Sequence, residues 1–246
     1  MITLQEYLDK NYKNIAKERV DIININNQEL GLERSYLDLR DFKNLETLIC
    51  EGFDITKIDI SNCFKLEHLY FNSTTPNLNI TNNPNLVKIS WSFSLRNLEV
   101  NNNSNLTVLN LSNNELTNVS FLRNLPCPEK LIALELNNNN IQTTDLEIFR
   151  NFVNLAILSI GADDNQRVNK GFYNHFYGSL EPLRNLFNLN TLRIENTDIS
   201  SGLEYLKGNL VETMEGFFIK CEVCYPSAKV KSIQDELKIY GYNLLD

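Results

Sequence analysis

Apolar residues recur along this chain in one six-residue figure, apolar-x-x-apolar-x-apolar. It occurs at Val20-Ile23-Ile25, Leu45-Leu48-Cys50, Leu66-Leu69-Phe71, Leu86-Ile89-Trp91 and Leu106-Leu109-Leu111. It continues at Leu131-Leu134-Leu136, Leu155-Leu158-Ile160, Leu189-Leu192-Ile194 and, less clearly, Met214-Phe217-Ile219. These nine matches lie about 24 residues apart, a spacing chance does not produce. The last two slots of each figure are two residues apart, so on a strand both side chains point into one shared interior. Two more apolar slots follow, as Leu116 and Val119 follow Leu111, and Ile141 and Leu146 follow Leu136. The remaining residues must return the chain beside its own start. No single rung buries its apolar side alone, so neighbouring rungs must stack.

The ends carry a different period. Residues 3–17 place Leu4, Leu8, Tyr12 and Ile15 at helical spacing behind Thr3, a good N-cap residue. Residues 226–240 open on Pro226 and set Val230, Ile233, Leu237 and Tyr240 on one face. The expectation is a single domain over 1–246: an N-terminal helical cap at 1–19, repeats at 20–225 and a C-terminal helical cap at 226–246. Two such caps would shield the terminal rungs and make the chain a complete domain. At the turn three residues after each strand an Asn amide can satisfy open backbone groups. Asn114 and Asn139 stand there, but Phe53, Thr74, Ser94, Asp163 and Thr197 stand at other turns, so rungs of unequal quality are expected.

The stretches SNCFKLEHLYF, TNNPNLVKI and SNLTVLNLSNNELTNVSFLRNLP resemble bacterial internalin-type and phosphatase-regulator-type leucine-rich repeats. GSLEPLRNL and IENTDISSGLEYL resemble the leucine-rich-repeat proteins abundant in arbuscular mycorrhizal fungi. The resemblance covers nearly the whole chain. It implies an α/β leucine-rich-repeat solenoid, a right-handed arc of about nine rungs with a parallel sheet on the concave face. It also implies protein binding, and it carries over no catalytic residue.

On that fold the x positions of each figure line the concave face. The central row reads Asn24, Ile49, Tyr70, Ser90, Asn110, Glu135, Ser159, Arg193 and Phe218, and its neighbour contains His68, Lys88 and Ala133. From this surface His68, Tyr70, Lys88, Ser90, Phe93, Asn110, Glu135, Arg193 and Phe218 are candidate partner contacts, because exposed aromatic anchors dominate interface energetics. The competing reading is that strands favour aromatic and β-branched residues in any case. A second candidate is the long insertion near 161–180, where Phe172, Tyr173, Phe176 and Tyr177 flank His175. Either it projects at the rim and contributes Phe172, Tyr173, His175 and Tyr177 to binding, or its aromatics tuck against neighbouring rungs.

Composition narrows the function. A net charge of −8 with a pI near 5.0 argues against nucleic acid, which a basic stripe would hold. No run approaches the ~20 apolar residues of a membrane span, and the first residues lack the apolar core of a secretory signal. Five cysteines, odd in number and irregularly spaced, fit reduced thiols in the cytoplasm better than a disulfide framework. The six Asn-x-Ser/Thr triplets, at Asn72, Asn79, Asn102, Asn105, Asn110 and Asn118, arise by chance in so Asn-rich a chain and do not imply secretion. Cys221 and Cys224 have half-zinc spacing but no second Cys/His pair, and no phosphate-loop, dinucleotide or zinc-protease motif occurs. No catalytic, metal or cofactor residue is expected. The expected partner is a protein, met by a monomer or weak homo-oligomer. Alternatives are a self-associating scaffold, or a targeting subunit for a kinase, phosphatase or ubiquitin ligase.

Overall fold

A computed structural model describes residues 3–13, 15–26, 35–202, 205–206, 210–213, 216–219 and 222–224. The expected C-terminal cap, Met214 and Cys221 lie outside the described residues. The chain divides into two units, one of Met1–Leu116 with Ser120–Cys127, the other of Thr117–Val119 with Pro128–Asp246.

The first unit opens with helix α1 (Leu4–Asn11). Thr3 Oγ1 accepts the Glu6 N–H at 3.1 Å while the Glu6 carboxylate accepts the Thr3 N–H at 2.7 Å, a reciprocal cap. Leu4 and Leu8, one turn apart, are fully buried. The helix is shorter than the apolar spacing to Ile15 implies. At its end the Asn11 amide donates to the Tyr7 carbonyl, and Ile15 is exposed.

Among the described residues nine strands follow: β1 (Ile22–Asn26), β2 (Ser35–Asp38), β3 (Thr47–Phe53), β4 (Ile55–Asp59), β5 (His68–Ser73), β6 (Asn77–Asn79), β7 (Lys88–Phe93), β8 (Asn97–Glu99) and β9 (Val108–Asn110). The odd-numbered strands form a parallel ladder in chain order. Its register aligns Leu48, Leu69, Ile89 and Leu109 in one column and Cys50, Phe71 and Trp91 in another. Each repeated slot therefore stacks on itself. All seven side chains are buried, the aliphatic ones stabilising by about 2 kcal/mol each. The Phe71 and Trp91 rings stack at 4.3 Å.

The return limbs of this unit are strands as well, β2 pairing with β4 and β6 with β8. The sequence explains it: Asn77-Leu78-Asn79-Ile80 and Asn97-Leu98-Glu99-Val100 alternate polar with apolar, a period of two that suits a strand. The register steps from Thr47 to His68, Lys88 and Val108 leave rungs of only 21, 20 and 20 residues. A helix rising 1.5 Å per residue covers less of the return path than an extended limb at ~3.3 Å.

The second unit holds β10 (Ala133–Glu135), β11 (Ile157–Ser159), the single turn α2 (Asn165–Val168), β12 (Tyr177–Ser179), β13 (Thr191–Arg193), β14 (Asp198–Ser201), β15 (Leu210–Thr213), β16 (Gly216–Ile219) and β17 (Glu222–Cys224). Here β10, β11, β13 and β17 form the parallel ladder, with Leu134, Leu158, Leu192 and Val223 in register. Its longer rungs return partly through 3-10 turns such as Leu146–Phe149, where Asp145 caps the Glu147 N–H and Leu146 and Phe149 are both buried. The ladder strand expected at Met214-Phe217-Ile219 is not one. Gly216–Ile219 pairs antiparallel with Leu210–Thr213 as a hairpin, and β17 takes the ladder place. The consecutive Phe217-Phe218-Ile219 lacks the alternation that marks one face, and pairing across a short turn closes the smallest loop.

Buried amides tie rung to rung. Asn83 donates to the carbonyls of Ile60 and Cys63, and Asn103 to those of Ile80 and Asn83. Asn114 donates to Trp91 and Leu111 and accepts from Leu95 N–H. Among the described residues, each unit is a leucine-rich-repeat solenoid with its apolar slots inside.

Candidate functional site

On the ladder of the first unit the alternate side chains face outward. Thr47, His68, Lys88 and Val108 stand in register in one row, and Ile49, Tyr70, Ser90 and Asn110 in the next, about 4.8 Å apart from strand to strand. Lys88 is exposed, while His68, Ile49, Tyr70, Ser90 and Asn110 are half-buried. The His68 and Tyr70 rings tilt against each other at 6.4 Å. His68 Nδ1 is shielded from solvent yet has no hydrogen-bond partner. Asn110 spends its side-chain oxygen on the Ser112 N–H at 3.0 Å. Phe93, at the end of β7, is exposed and held at φ 105°, a conformation bulky residues rarely adopt. The structure thus brings His68, Tyr70, Lys88, Ser90 and Asn110 onto one continuous face, with Phe93 at its edge.

In the second unit Glu135, Ser159 and Arg193 stand in register, Glu135 half-buried and Arg193 exposed. Two expected outward positions are covered: Ser159 is 2% exposed, and Ala133 is also buried. Ser159 is a short side chain set between the longer Glu135 and Arg193. Phe218 does not belong to this row, because its backbone pairs with Val211 in the hairpin.

The insertion divides between the two readings the sequence left open. Asp164 caps α2 by accepting from the Gln166 and Arg167 N–H groups. Phe176 is fully buried, its ring 5.5 Å from that of Phe149. Phe172 and Tyr177 are 48% and 44% exposed. Tyr173 lies against His175 at 4.0 Å, and His175 Nδ1 sits 3.0 Å from the Asp198 carboxylate. Burial, then the Asp198 charge, raises the Tyr173 hydroxyl above the usual tyrosine range.

Sequence reasoning missed Asn174. Its side chain donates to the carbonyls of Leu136 and Ile160 and accepts from the Ile141 N–H. Asn139 does the same office three residues after Leu136, whereas Asn174 comes fourteen after Ile160. The extra eleven residues therefore leave the rung between its ladder strand and its turn. The signal was present: Asn174-x-Phe176 repeats Asn114-x-Leu116 and Asn139-x-Ile141. Asp198, the partner of His175, was also missed. Gly161 is required where the loop departs, since a Cβ there would collide with the Glu195 backbone. Burial raises the Glu195 carboxyl above its usual range.

Chemistry at the cysteines is muted. Burial pushes the Cys50 and Cys63 thiols up to about 12, so neither is a thiolate at neutral pH.

No protein-family model and no curated protein matches the chain. Solved structures do. The functional domain of InlJ from Listeria monocytogenes, which includes a cysteine ladder, is 22% identical over 68% of this chain and 42% of its own, with a TM-score of 0.42. Internalin C2 from the same organism is 18% identical over 87% of this chain and 77% of its own, at 0.45. A leucine-rich-repeat protein of Leptospira interrogans is 13% identical over 84% and 64%, at 0.42. The chain spans less than half of the first of these. The assignment of the fold rests on the rungs themselves.

Proposed function

We propose that this chain is a protein-interaction module that meets its partner on the outward ladder face of the first unit, with no chemistry of its own. The observation that carries the reading is the set His68, Tyr70, Lys88 and Ser90. These groups are held in register on hydrogen-bonded strands, and the aromatic and imidazole groups are half-buried with unspent contact capacity. A face fixed by its own ladder loses little entropy on binding, so modest contacts suffice. The exposed Phe172 and Tyr177 of the insertion offer a second patch in the other unit. Cys50, Cys63 and Cys127 are free thiols, as a cytoplasmic setting would keep them.

The test is selection of a random-peptide display library on the folded protein, followed by measured affinities of the enriched peptides. Tyr70→Ala and His68→Ala are expected to weaken the enriched binders by at least about tenfold, as truncation of an interface anchor does. Binders indifferent to both substitutions, yet lost with Phe172→Ser and Tyr177→Ser, would move the site to the insertion. Failure to enrich any binder would remove the reading.

A further inference from the structure

The outward face of β1, β3 and β5 has a polarity that neighbouring rungs do not share. Its middle holds two rows, Ile22, Thr47 and His68 in one and Asn24, Ile49 and Tyr70 in the next; Ile22 is 55% exposed, and Ile49 and Tyr70 are half-buried. One border carries Asp21, Glu46 and Glu67, one per rung. The backbone fixes their succession, since Glu46 N–H donates to the Asp21 carbonyl and Glu67 N–H to that of Glu46. The other border carries Glu51. All four carboxylates are exposed, and among the described residues none is ion-paired. No lysine or arginine occurs in residues 21–26, 46–53 or 67–73. Elsewhere in the same unit some carboxylates are matched: Asp38 and Asp59 face Arg40, and Glu115 faces Arg96. On the next rung the border turns apolar at Val87, and Lys88 replaces the acid character.

Like charges on successive rungs, whose strands lie about 4.8 Å apart, repel one another. A partner that supplies cations relieves that repulsion, while apolar residues between the cations cover Ile49 and Tyr70. We infer that this face docks an extended protein segment in which lysine or arginine alternates with apolar residues. The inference rests on the interaction reading above and adds the chemistry of the partner.

The experiment uses two fluorescein-labelled peptides of about twelve residues, one alternating Lys/Arg with Leu/Tyr and the other with Glu at each basic position. Anisotropy titrations are run on the whole chain and on two double variants of equal net charge. Glu46→Gln with Glu67→Gln neutralises the border. Glu99→Gln with Glu129→Gln neutralises two exposed carboxylates on other elements, β8 and the 3-10 turn Pro128–Lys130. The basic peptide is expected to bind the native chain and the second variant alike. It should bind the border variant about tenfold more weakly, with a steeper loss on raising salt for the native chain. The acidic peptide is expected not to bind. Equal weakening in both double variants would reduce the effect to net charge and overturn the inference, as would binding of the acidic peptide. If library binders lost with Tyr70→Ala exist but are acidic or neutral, the interaction reading stands and the cationic partner is wrong. If no binder of any charge depends on Tyr70, both fall.

Discussion

A buried amide shows best how single residues decide this fold. Asn174 satisfies the Leu136 and Ile160 carbonyls and the Ile141 N–H at once, in the dry interior of the second unit. Replacing it with alanine strands the Ile160 carbonyl and the Ile141 N–H, each costing roughly 1–3 kcal/mol when unpaired, while the Leu136 carbonyl keeps the Asn139 amide. Asn174→Ala is expected to destabilise the chain by about 2–4 kcal/mol in urea unfolding. Asn102→Ala, at an exposed position, should cost less than about 0.5 kcal/mol. Equal effects would mean that the amide ladder does not hold the rungs. A charged contact gives a second residue-scale outcome. The Arg40 guanidinium, 2.6 Å from Asp38, holds that carboxyl below its ordinary 3.8. A depressed folded value contributes stability that is present above 3.8 and lost as pH falls through the folded value. Arg40→Gln should therefore be less stable than the native chain at neutral pH. The two stability curves should converge on acidification below that window.

At the scale of elements the insertion is separable from the rung that carries it. It leaves after Ala162 and returns at Asn174, so removing residues 163–173 puts Asn174 three positions after Ile160, the spacing of Leu136 and Asn139. That deletion is expected to leave unfolding cooperative and stability within about 2 kcal/mol, because it removes few buried groups. Deleting 165–177 takes Asn174 and Phe176 with it and should unfold the second unit, seen as lost circular dichroism and an early transition. The first eight apolar figures lie on the ladder strands or the residues flanking them, so that part of the fold was legible in the sequence. A period-two alternation around a stacked core leaves few other solutions. The ninth figure was misread because Phe217-Phe218-Ile219 is apolar on both faces, and the hairpin with Leu210–Thr213 was not visible in spacing alone. The strand returns of the first unit were overlooked for a related reason. Attention to one apolar figure per rung hides the second alternation at Leu78-Ile80 and Leu98-Val100. Of the candidate contacts, the register positions of His68, Tyr70, Lys88 and Ser90 were readable. The burial of Ser159 and the contact of His175 with Asp198 depend on neighbouring rungs and were not.

For the molecule as a whole, charge and exposed apolar groups act in opposite directions. Ile22, Phe64, Phe93, Ile132, Val153, Phe172 and Phe187 are exposed, which favours association by burial of apolar surface. A net charge of −8 opposes it between identical chains, and four unpaired carboxylates border the ladder face of the first unit. Repulsion of this kind reaches about 10 Å at 0.1 M salt and about 3 Å at 1 M. The expected result of static light scattering is a single-chain mass of 28.4 kDa across a concentration series at low salt. Any rise in mass should appear only at high salt. A dimer at low salt that disappears with Tyr70→Ala would show the chain recognising its own copy on that face. The carboxylate border would then have to meet a cationic patch on the second copy. Exposed Lys88 is the described ladder-face residue of the first unit with the required charge, so Lys88→Glu would abolish such a dimer. A monomer throughout leaves the border open to a cation from another protein, which the low salt of the same series would favour.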